Sequence, residues 1–326
     1  MRESLVTVIV PNYNHHLYLE ERIESIINQE YQNIELILLD DCSPDNSVEI
    51  LERYRSCPKV AHICVNTQNS GSTFKQWEKG IRMAEGEYIW IAESDDSADP
   101  KLLASAMRYF SENPSAVLAF CNSRLIDSNG DSLGHRDQDD YSDTAYTLHD
   151  GMDFIRTKML CHNRIYNASS VVFKKSVWEQ VDLDFMNYRY CGDWMFWIEV
   201  LRQGDVIWIH ERYNRFRKHL NKVSPKADRD GINFMEMRKL LHYLSVRFQL
   251  SKPQIASIVG NVFINLLMNE SISPVARKRE IAAWVKEYPA IFLYSLYRAI
   301  QLIPRRILSK FGIVRKYKYP FILKSR

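Results

Sequence analysis

Short apolar runs alternate with amphipathic segments along the first 110 residues of the chain. The apolar runs are typical of buried strands and lie at residues 5–10, 34–40, 60–65 and 88–92. Between these runs, apolar residues recur at the spacing of one helical face, at residues 19–29, 47–54 and 73–84. A further helical segment runs from Asp99-Pro100 to residue 110. This strand–helix alternation predicts an α/β fold with a Rossmann-like, mostly parallel sheet flanked by helices.

The pattern changes from about residue 122. The turn signal Asn129-Gly130 predicts a hairpin followed by an acidic loop, and strand, helix and strand patterns follow at 169–175, 193–204 and 206–210. Beyond residue 224 the chain reads as helical throughout, with prolines 253, 274, 289 and 304 separating short helices. We therefore predict a domain at 1–224, with halves 1–121 and 122–224, and a helical C-terminal extension at 225–326.

Composition and charge indicate the compartment in which the protein works. The chain has 326 residues, 46% hydrophobic, and six scattered cysteines that indicate free thiols. No signal peptide or apolar run of about 20 residues is recognisable, so we expect a cytoplasmic protein.

Residues 275–326 hold 13 Lys and Arg against two acidic residues. This basic, aromatic-rich segment predicts association with the anionic inner face of the cell membrane, or helices with a basic exterior. Nucleic acid is disfavoured because no reader motif accompanies the charge.

Two pairs of adjacent carboxylates follow predicted strands, Asp40-Asp41 and Asp95-Asp96. Adjacent carboxylates repel each other, and ligands of open α/β sheets bind at the carboxyl ends of the strands. Asp95-Asp96 alone is compatible with a solvated acidic turn. The functional alternative is a pair of carboxylates that hold Mg²⁺ or Mn²⁺ on a nucleotide diphosphate.

The motifs closely resemble those of the family 2 inverting glycosyltransferases, which have the GT-A fold. The resemblance covers roughly residues 5–220. It rests first on three motifs: a strand ending in Pro-x-Tyr-Asn (Pro11, Tyr13, Asn14), a helix ending in Ser-x-x-x-Gln (Ser25, Gln29), and a strand ending in Asp-Asp-x-Ser-x-Asp (Asp40, Asp41, Ser43, Asp45). Three further segments match later in the chain: "NSG" at 69–71, "GEYIWIAESDD" at 86–96 and "GDW" at 192–194.

The resemblance implies a site for the nucleotide sugar. Residues near Pro11 and Tyr13 would cradle the base, with a stacking face from Tyr13. Asp40 would accept from the imide of a uracil or thymine base. The remaining donor-side residues implied by the motifs are Asn14, Asp41, Gly71, Lys75 and Asp95. Lys75-Gln76-Trp77 stands where many relatives have Ala-Arg-Asn, so Lys75 would approach the diphosphate as a point charge.

For the metal, the resemblance makes Asp96 the firmer ligand and places Asp95 at the ribose or the metal. His219 would complete the metal or diphosphate site, although Arg215, Arg217 and Lys218 are alternatives for the pyrophosphate. We read His15-His16 as a solvated pair, because consecutive residues do not face one ligand.

Asp193 matches the catalytic base of the family, which deprotonates the acceptor hydroxyl as it attacks the anomeric carbon. A helix N-cap is the compatible alternative. Gly192 stands where the family often has an acidic residue, which would alter contacts with the acceptor. Trp194 is expected to be mostly core and is a candidate to stack on an acceptor sugar.

These features together predict a metal-dependent inverting glycosyltransferase. It would move a sugar from a nucleoside diphosphate donor, UDP or dTDP favoured, to a saccharide hydroxyl, with a lipid-linked glycan in surface polysaccharide synthesis as the expected acceptor. Two alternatives stay open: a non-catalytic nucleotide- or saccharide-binding module, and a sugar nucleotidyltransferase. The second is disfavoured because "PNYNHH" lacks the glycine and lysine of a phosphate-binding loop.

Overall fold

The computed structural model describes residues 3–136, 144–219 and 229–310, with the backbone alone described for 301–310. Its contacts divide the chain into two compact units. The first unit comprises Met1–Ile155, Arg164–Met186 and Phe196–His219, and the second comprises Arg156–Asn163, Asn187–Met195 and Leu220–Arg326. The predicted boundary after residue 224 falls outside the described residues, so the domain division stays a prediction.

The first unit is built on one mixed sheet. Its described strands are β1 (Val6–Asn12), β2 (Ile34–Asp40), β3 (Val60–Val65), β4 (Tyr88–Ile91), β5 (Ser97–Ala98), β6 (Ala116–Ile126), β7 (Ser132–Arg136), β8 (Tyr146–His149), β9 (Val171–Lys174) and β10 (Asp205–Arg217). The order is β3-β2-β1-β4-β9-β6-β10-β5, with β7 paired to β6 and β8 to β10. Strands β1 to β4 are mutually parallel, as β6 and β10 are. Antiparallel β9 joins these two parallel parts.

Four helices connect the strands of the first half: α1 (His16–Ile27), α2 (Ser47–Arg53), α3 (Thr73–Met83) and α4 (Leu102–Glu112). In α1 Leu19, Ile23 and Ile26 are buried in the apolar core beneath β1 and β2, and Ile27 on the same face is partly buried against it. Both strands are buried along their whole length. This confirms the predicted α/β class, with a mostly parallel central sheet flanked by helices.

Two more helices, α5 (Gly151–Phe154) and α6 (Gly192–Leu201), precede the C-terminal helices α7 (Ile232–Arg247), α8 (Lys252–Met268), α9 (Pro274–Glu287) and α10 (Ile291–Lys310). A capping box of Ser251 and Gln254 starts α8, and Ser273 caps α9 by accepting from the Ala276 N–H. Prolines occupy the first turn of both helices, where the missing N–H costs nothing. The helical C-terminal region is therefore confirmed.

Several boundaries differ from the predictions. α10 runs through Pro304, which was wrongly predicted to end a helix, because a proline inside a helix costs one hydrogen bond without ending it. α4 begins at Leu102 rather than Pro100, since the Asp99 carboxylate accepts from the Lys101 N–H in a turn before the helix. β10 extends to Arg217, seven residues further than predicted. The acidic loop at 137–143 lies outside the described residues.

Candidate active site

Loops at the carboxyl ends of β1, β2 and β4 carry most of the predicted site residues. Two of these loops turn through left-handed residues, Asn14 after β1 with φ of 60° and Cys42 after β2 with φ of 63°. Asparagine tolerates this conformation, whereas a cysteine there is uncommon. The backbone N–H of Asn14 donates to Ser43 Oγ at 2.9 Å, which ties the first loop to the second.

Asp40 is fully buried and organises the loop after β2. Its Oδ2 accepts from Asn12 Nδ2 at 2.7 Å and from Ser43 Oγ at 2.6 Å, and its Oδ1 accepts from the Ser43 N–H at 2.8 Å. Neutral donors thus satisfy a carboxylate that would otherwise be costly to bury. In this structure Asp40 holds the ends of β1 and β2 together.

Asp41 makes a second network, which reaches the start of α3. Its Oδ1 accepts from Asn66 Nδ2, the Ser70 N–H and Gln76 Nε2 at 2.7 to 2.9 Å, and its Oδ2 accepts from Ser70 Oγ at 2.7 Å. Gln76 is one of the residues that depart from the family pattern. It binds Asp41 here, so it fixes the loop before α3.

The other predicted donor-side residues border these networks. Tyr13 is 47% exposed, which leaves its ring accessible for stacking. Pro11 is buried within β1 and pairs with Leu39. Gly71 has φ of +73°, a conformation that favours glycine. Lys75 Nζ donates to the Ser70 carbonyl at 3.3 Å, so it lies at the same loop as the Asp41 network.

Asp96 lies in a closed polar pocket after β4. It is fully buried, its Oδ2 accepts from Asn167 Nδ2 at 2.7 Å and Ser169 Oγ at 2.8 Å, and its Oδ1 accepts from the Arg217 N–H at 2.9 Å. The donors come from the segment before β9 and from the end of β10. Asp96 therefore fastens the acidic loop to two parts of the chain that are distant in sequence.

Asp95 faces two histidines instead. Its Oδ2 lies 2.9 Å from His219 Nε2, and the His15 Nδ1 lies 2.9 Å from Ser94 Oγ. The rings of His15 and His219 meet edge to face, with centroids 5.4 Å apart. One ligand atom from each of His15, Asp95 and His219 lies within 4.8 Å of the others. Among the described residues, these three side chains are the group whose ligand atoms lie close enough together to hold a metal ion.

The expectation that His15 and His16 form a solvated pair is wrong for His15, which is half-buried beside Ser94 and His219, whereas the His16 side chain stays 42% exposed. The two rings do point to different partners: His16 Nδ1 lies 2.8 Å from Asp45 Oδ2, while His15 lies at Ser94. His15 precedes α1 and stands at the carboxyl end of β1. That position in the sequence could have indicated a ligand-binding role for His15, because residues at the carboxyl ends of the strands face the ligand side of the sheet.

A buried arginine lies close to the acidic loop. Arg22 is 0% exposed, and its guanidinium lies 4.8 Å from the centre of the Trp90 ring. None of its three nitrogens has a hydrogen-bond partner among the described residues. Burial lowers the pKa of Arg22 to about 10, against the opposing effect of Asp96, Asp95 and Glu93. Arg22 thus remains a cation, and no pattern in the sequence predicted its burial beside the acidic loop.

Arg217, the last residue of β10, stabilises the same acidic loop. Its Nε donates to the Asp95 carbonyl at 2.8 Å, its Nη2 pairs with Glu21, and its guanidinium lies 4.6 Å from the centre of the Tyr18 ring. The side chain is 1% exposed. Its guanidinium is engaged in structural contacts, so Arg217 is poorly placed for the diphosphate role considered for it.

Asp193 lies in the second unit, as the second residue of α6. Its Oδ2 accepts from Asn163 Nδ2 at 2.9 Å and its Oδ1 from the Trp194 N–H at 2.7 Å. Burial raises the pKa of Asp193 to about 7, against these hydrogen bonds, which favour the ionised form. A carboxylate tuned in this way is suited to proton transfer at neutral pH.

Trp194 is largely enclosed by its own unit. It is 5% exposed, and its indole N–H donates to the Met159 carbonyl at 2.8 Å. This agrees with the expected core placement. Stacking on an acceptor sugar stays a prediction that requires more of the ring to be uncovered.

The sequence comparisons identify the family of the chain. The family model described as "Glycosyl transferase family 2" matches residues 7–173. TuaG of Bacillus subtilis (strain 168), a glycosyltransferase named for teichuronic acid biosynthesis, is 26% identical over 223 residues, which are 68% of this chain and 82% of TuaG. The chain therefore belongs to glycosyl transferase family 2, and its enzyme class is glycosyltransferase.

Solved structures show the same GT-A fold. The crystal structure of Staphylococcus aureus TarS 1–349 in complex with UDP-GlcNAc is similar with a TM-score of 0.58 at 17% identity, over 90% of this chain and 91% of that one. The mannosyltransferase PcManGT of Pyrobaculum calidifontis, in complex with GDP-Man and Mn²⁺, has a TM-score of 0.50 at 17% identity, over 96% of this chain and 88% of that one.

Proposed function

We propose that this glycosyltransferase moves a sugar from a UDP- or dTDP-sugar to a saccharide hydroxyl with inversion, using Mn²⁺ or Mg²⁺. The observation that carries the proposal is the group of His15, Asp95 and His219 at the carboxyl end of the sheet. The similarity to a structure that binds UDP-GlcNAc supports a uridine nucleotide. The relatedness to TuaG supports a saccharide acceptor in surface polysaccharide synthesis.

The metal role that the family motif gave to Asp96 fits Asp95 better. Asp96 is buried and holds three internal donors, whereas Asp95 shares its site with two imidazoles. One carboxylate and two imidazoles suit a divalent transition metal, so we favour Mn²⁺ over Mg²⁺. When bound, the cation would act as a Lewis acid that neutralises the charge on the leaving nucleoside diphosphate. Ser94 orients His15 through its hydroxyl.

The nucleotide would lie over the loops that Asp40 and Asp41 organise. Tyr13 offers its exposed ring to the base, and Pro11, Asn14 and Gly71 shape the backbone around it. The Asp40 carboxylate would accept from the base imide, exchanging one of its internal donors. Lys75 would contact a phosphate as a point charge.

Asp193 would act as the base. Its carboxylate takes the proton from the acceptor hydroxyl while the hydroxyl oxygen attacks the anomeric carbon, on the face opposite the departing diphosphate. A carboxylate with a pKa of about 7 is partly ionised at neutral pH and is a stronger base than a solvated one. Asn163 holds one oxygen of the carboxylate in place.

We propose a lipid-linked acceptor at an anionic membrane surface. The described part of α10 exposes large apolar side chains, and residues 275–326 are strongly basic. No helix among the described residues has the length and apolarity needed to cross a membrane. The predicted interfacial residues from Ile303 to Lys310 have no described side chains, and those beyond 310 lie outside the described residues.

The test is a donor screen by hydrolysis of UDP-, dTDP- and GDP-sugars, each with Mn²⁺, with Mg²⁺ and with chelator. We expect turnover of a UDP- or dTDP-sugar with Mn²⁺ and loss of turnover with chelator. Titration calorimetry with UDP, with and without Mn²⁺, provides a matched binding measurement. Metal-enhanced UDP binding without hydrolysis or transfer of any donor would contradict the proposed activity and favour a binding module.

A further inference from the structure

A buried carboxylate from the C-terminal helices contacts the segment that leads to Asp193. Glu236, on α7, is 4% exposed. Its Oε1 accepts from the Arg189 N–H at 2.7 Å, and its Oε2 accepts from the N–H groups of Tyr190 and Cys191 at 2.7 and 2.8 Å. All of these residues belong to the second unit.

The three N–H groups are consecutive and directly precede α6, which starts at Gly192. One carboxylate that accepts three backbone donors holds a chain segment more rigidly than a single capping bond, because each bond fixes a separate peptide plane. Asp193 is two residues beyond the last of these donors. The direction of its side chain therefore depends on where Glu236 holds the preceding backbone.

Glu236 also acts on Asp193 through its charge. Besides burial, a like charge from Glu236 raises the pKa of Asp193, while Trp194 and Asn163 lower it through hydrogen bonds. The neighbouring Cys191 thiol is neutral, because burial raises its pKa well above the ordinary value. Among these neighbours, Glu236 is the charged group that favours the protonated form of Asp193.

We infer that Glu236 is a positioning residue for the transfer reaction: it fixes residues 189–191, and through them the Asp193 carboxylate, in the orientation needed to deprotonate the acceptor. The inference rests on the proposed role of Asp193 as the base. It gives the C-terminal helices a part in the chemistry, since Glu236 lies on α7.

The test compares Glu236→Gln with Glu287→Gln in the full-length chain. Glu287 is also in the second unit and pairs with Arg238 at 2.6 Å, so its substitution removes a charge without touching residues 189–191. We expect Glu236→Gln to lower kcat at least tenfold with an unchanged KM for the donor. The acidic limb of its pH–rate profile should move to lower pH, because a like charge that raises the pKa of Asp193 is lost. Glu287→Gln should leave both unchanged.

Backbone amide exchange supplies a readout that does not depend on activity. Peptides that cover residues 189–191 should exchange faster in Glu236→Gln than in the wild type, and Glu236→Asp, which keeps the carboxylate, should restore part of the protection and of kcat. Unchanged exchange, or a lower kcat with an unmoved acidic limb, would overturn the inference. Retained turnover in Asp193→Asn would overturn the base assignment instead, and the exchange experiment would still decide whether Glu236 holds the segment.

Discussion

Asp95 and Asp96 are adjacent in the chain but lie in different surroundings, which makes their separate substitution informative. Asp95→Asn removes the carboxylate beside His15 and His219. We expect it to weaken Mn²⁺ binding at least tenfold, measured by titration calorimetry without nucleotide, with little change in unfolding free energy.

Asp96→Asn is the matched variant. It leaves the buried donors from Asn167, Ser169 and the Arg217 backbone facing an amide that cannot accept from all of them. We expect a loss of about 1–3 kcal/mol in urea unfolding, with Mn²⁺ affinity retained when the variant is folded. Weakened Mn²⁺ binding in Asp96→Asn but not in Asp95→Asn would restore the original ranking of the two ligands.

The raised pKa of Asp193 has a consequence for stability. Burial raises this pKa from 3.8 to about 7, so folding favours the protonated form. The resulting stability is fully present below pH 3.8 and is lost as the pH rises through about 7. Asp193→Asn has no such loss, because its amide does not ionise.

We therefore expect Asp193→Asn to gain about 1–3 kcal/mol in unfolding free energy relative to the wild type between pH 5 and pH 8. Urea unfolding of both proteins at the two pH values measures this change. A difference between the two proteins that is equal at pH 5 and pH 8 would show that Asp193 is ionised with an ordinary pKa.

At the scale of elements, α1 contributes both apolar packing and a buried cation. Its stripe of Leu19, Ile23 and Ile26 packs in the core, and Arg22 is buried on the same helix over Trp90. Arg22 opposes the negative charge of the acidic loop, so it should lower the affinity of that loop for a cation. We expect Arg22→Met to tighten Mn²⁺ binding several-fold, measured by titration of the Mn²⁺ paramagnetic resonance signal.

Arg22→Lys is the control, because it keeps the charge on a side chain that is still long enough to lie beside Trp90. Its Mn²⁺ affinity should stay close to that of the wild type. Thermal unfolding of the metal-free proteins checks that each variant folds. Weaker Mn²⁺ binding in Arg22→Met would show that the guanidinium supports the metal-binding conformation of the loop rather than opposing the cation.

The elements of the first half could be predicted because their periodicity is local. β2 and β3 match their predicted bounds, and α2 and α3 end one residue before the predicted ends. The short strands β5 and β8 were missed, because strands of two and four residues are defined by their pairing with β10 rather than by a pattern of their own.

The position of the candidate site could be predicted from the sequence, but the contacts of its residues could not. Strand ends mark where ligands bind, and this led to Asp40 and Asp95, whose roles stay predictions. The surroundings of Asp96 depend on Asn167 and on Arg217, which lie 71 and 121 residues further along the chain. No local pattern reports such partners, and the same holds for the three N–H groups that bind Glu236.

At the scale of the whole molecule, the C-terminal region combines exposed apolar side chains on α10 with a sequence rich in lysine and arginine. Leu293, Leu296, Tyr297 and Ile300 lie at helical spacing on α10, and each is 45% exposed or more. Phe292 beside them is 62% exposed. An exposed apolar face with adjacent cations is suited to the interface of an anionic bilayer.

We expect the full-length protein to sediment with phosphatidylglycerol vesicles and much less with phosphatidylcholine vesicles, because lysine and arginine near an anionic surface each contribute about 1 kcal/mol. Rising salt should weaken the binding by screening those charges. The double variant Leu293→Ser and Leu296→Ser should reduce binding at least tenfold, since it removes apolar side chains that would enter the bilayer. Val246→Ser, which changes a residue 68% exposed on α7, should not. Equal binding to both kinds of vesicle would show that the lysines and arginines do not contribute, and full binding by the double variant would show that the apolar face does not enter the bilayer.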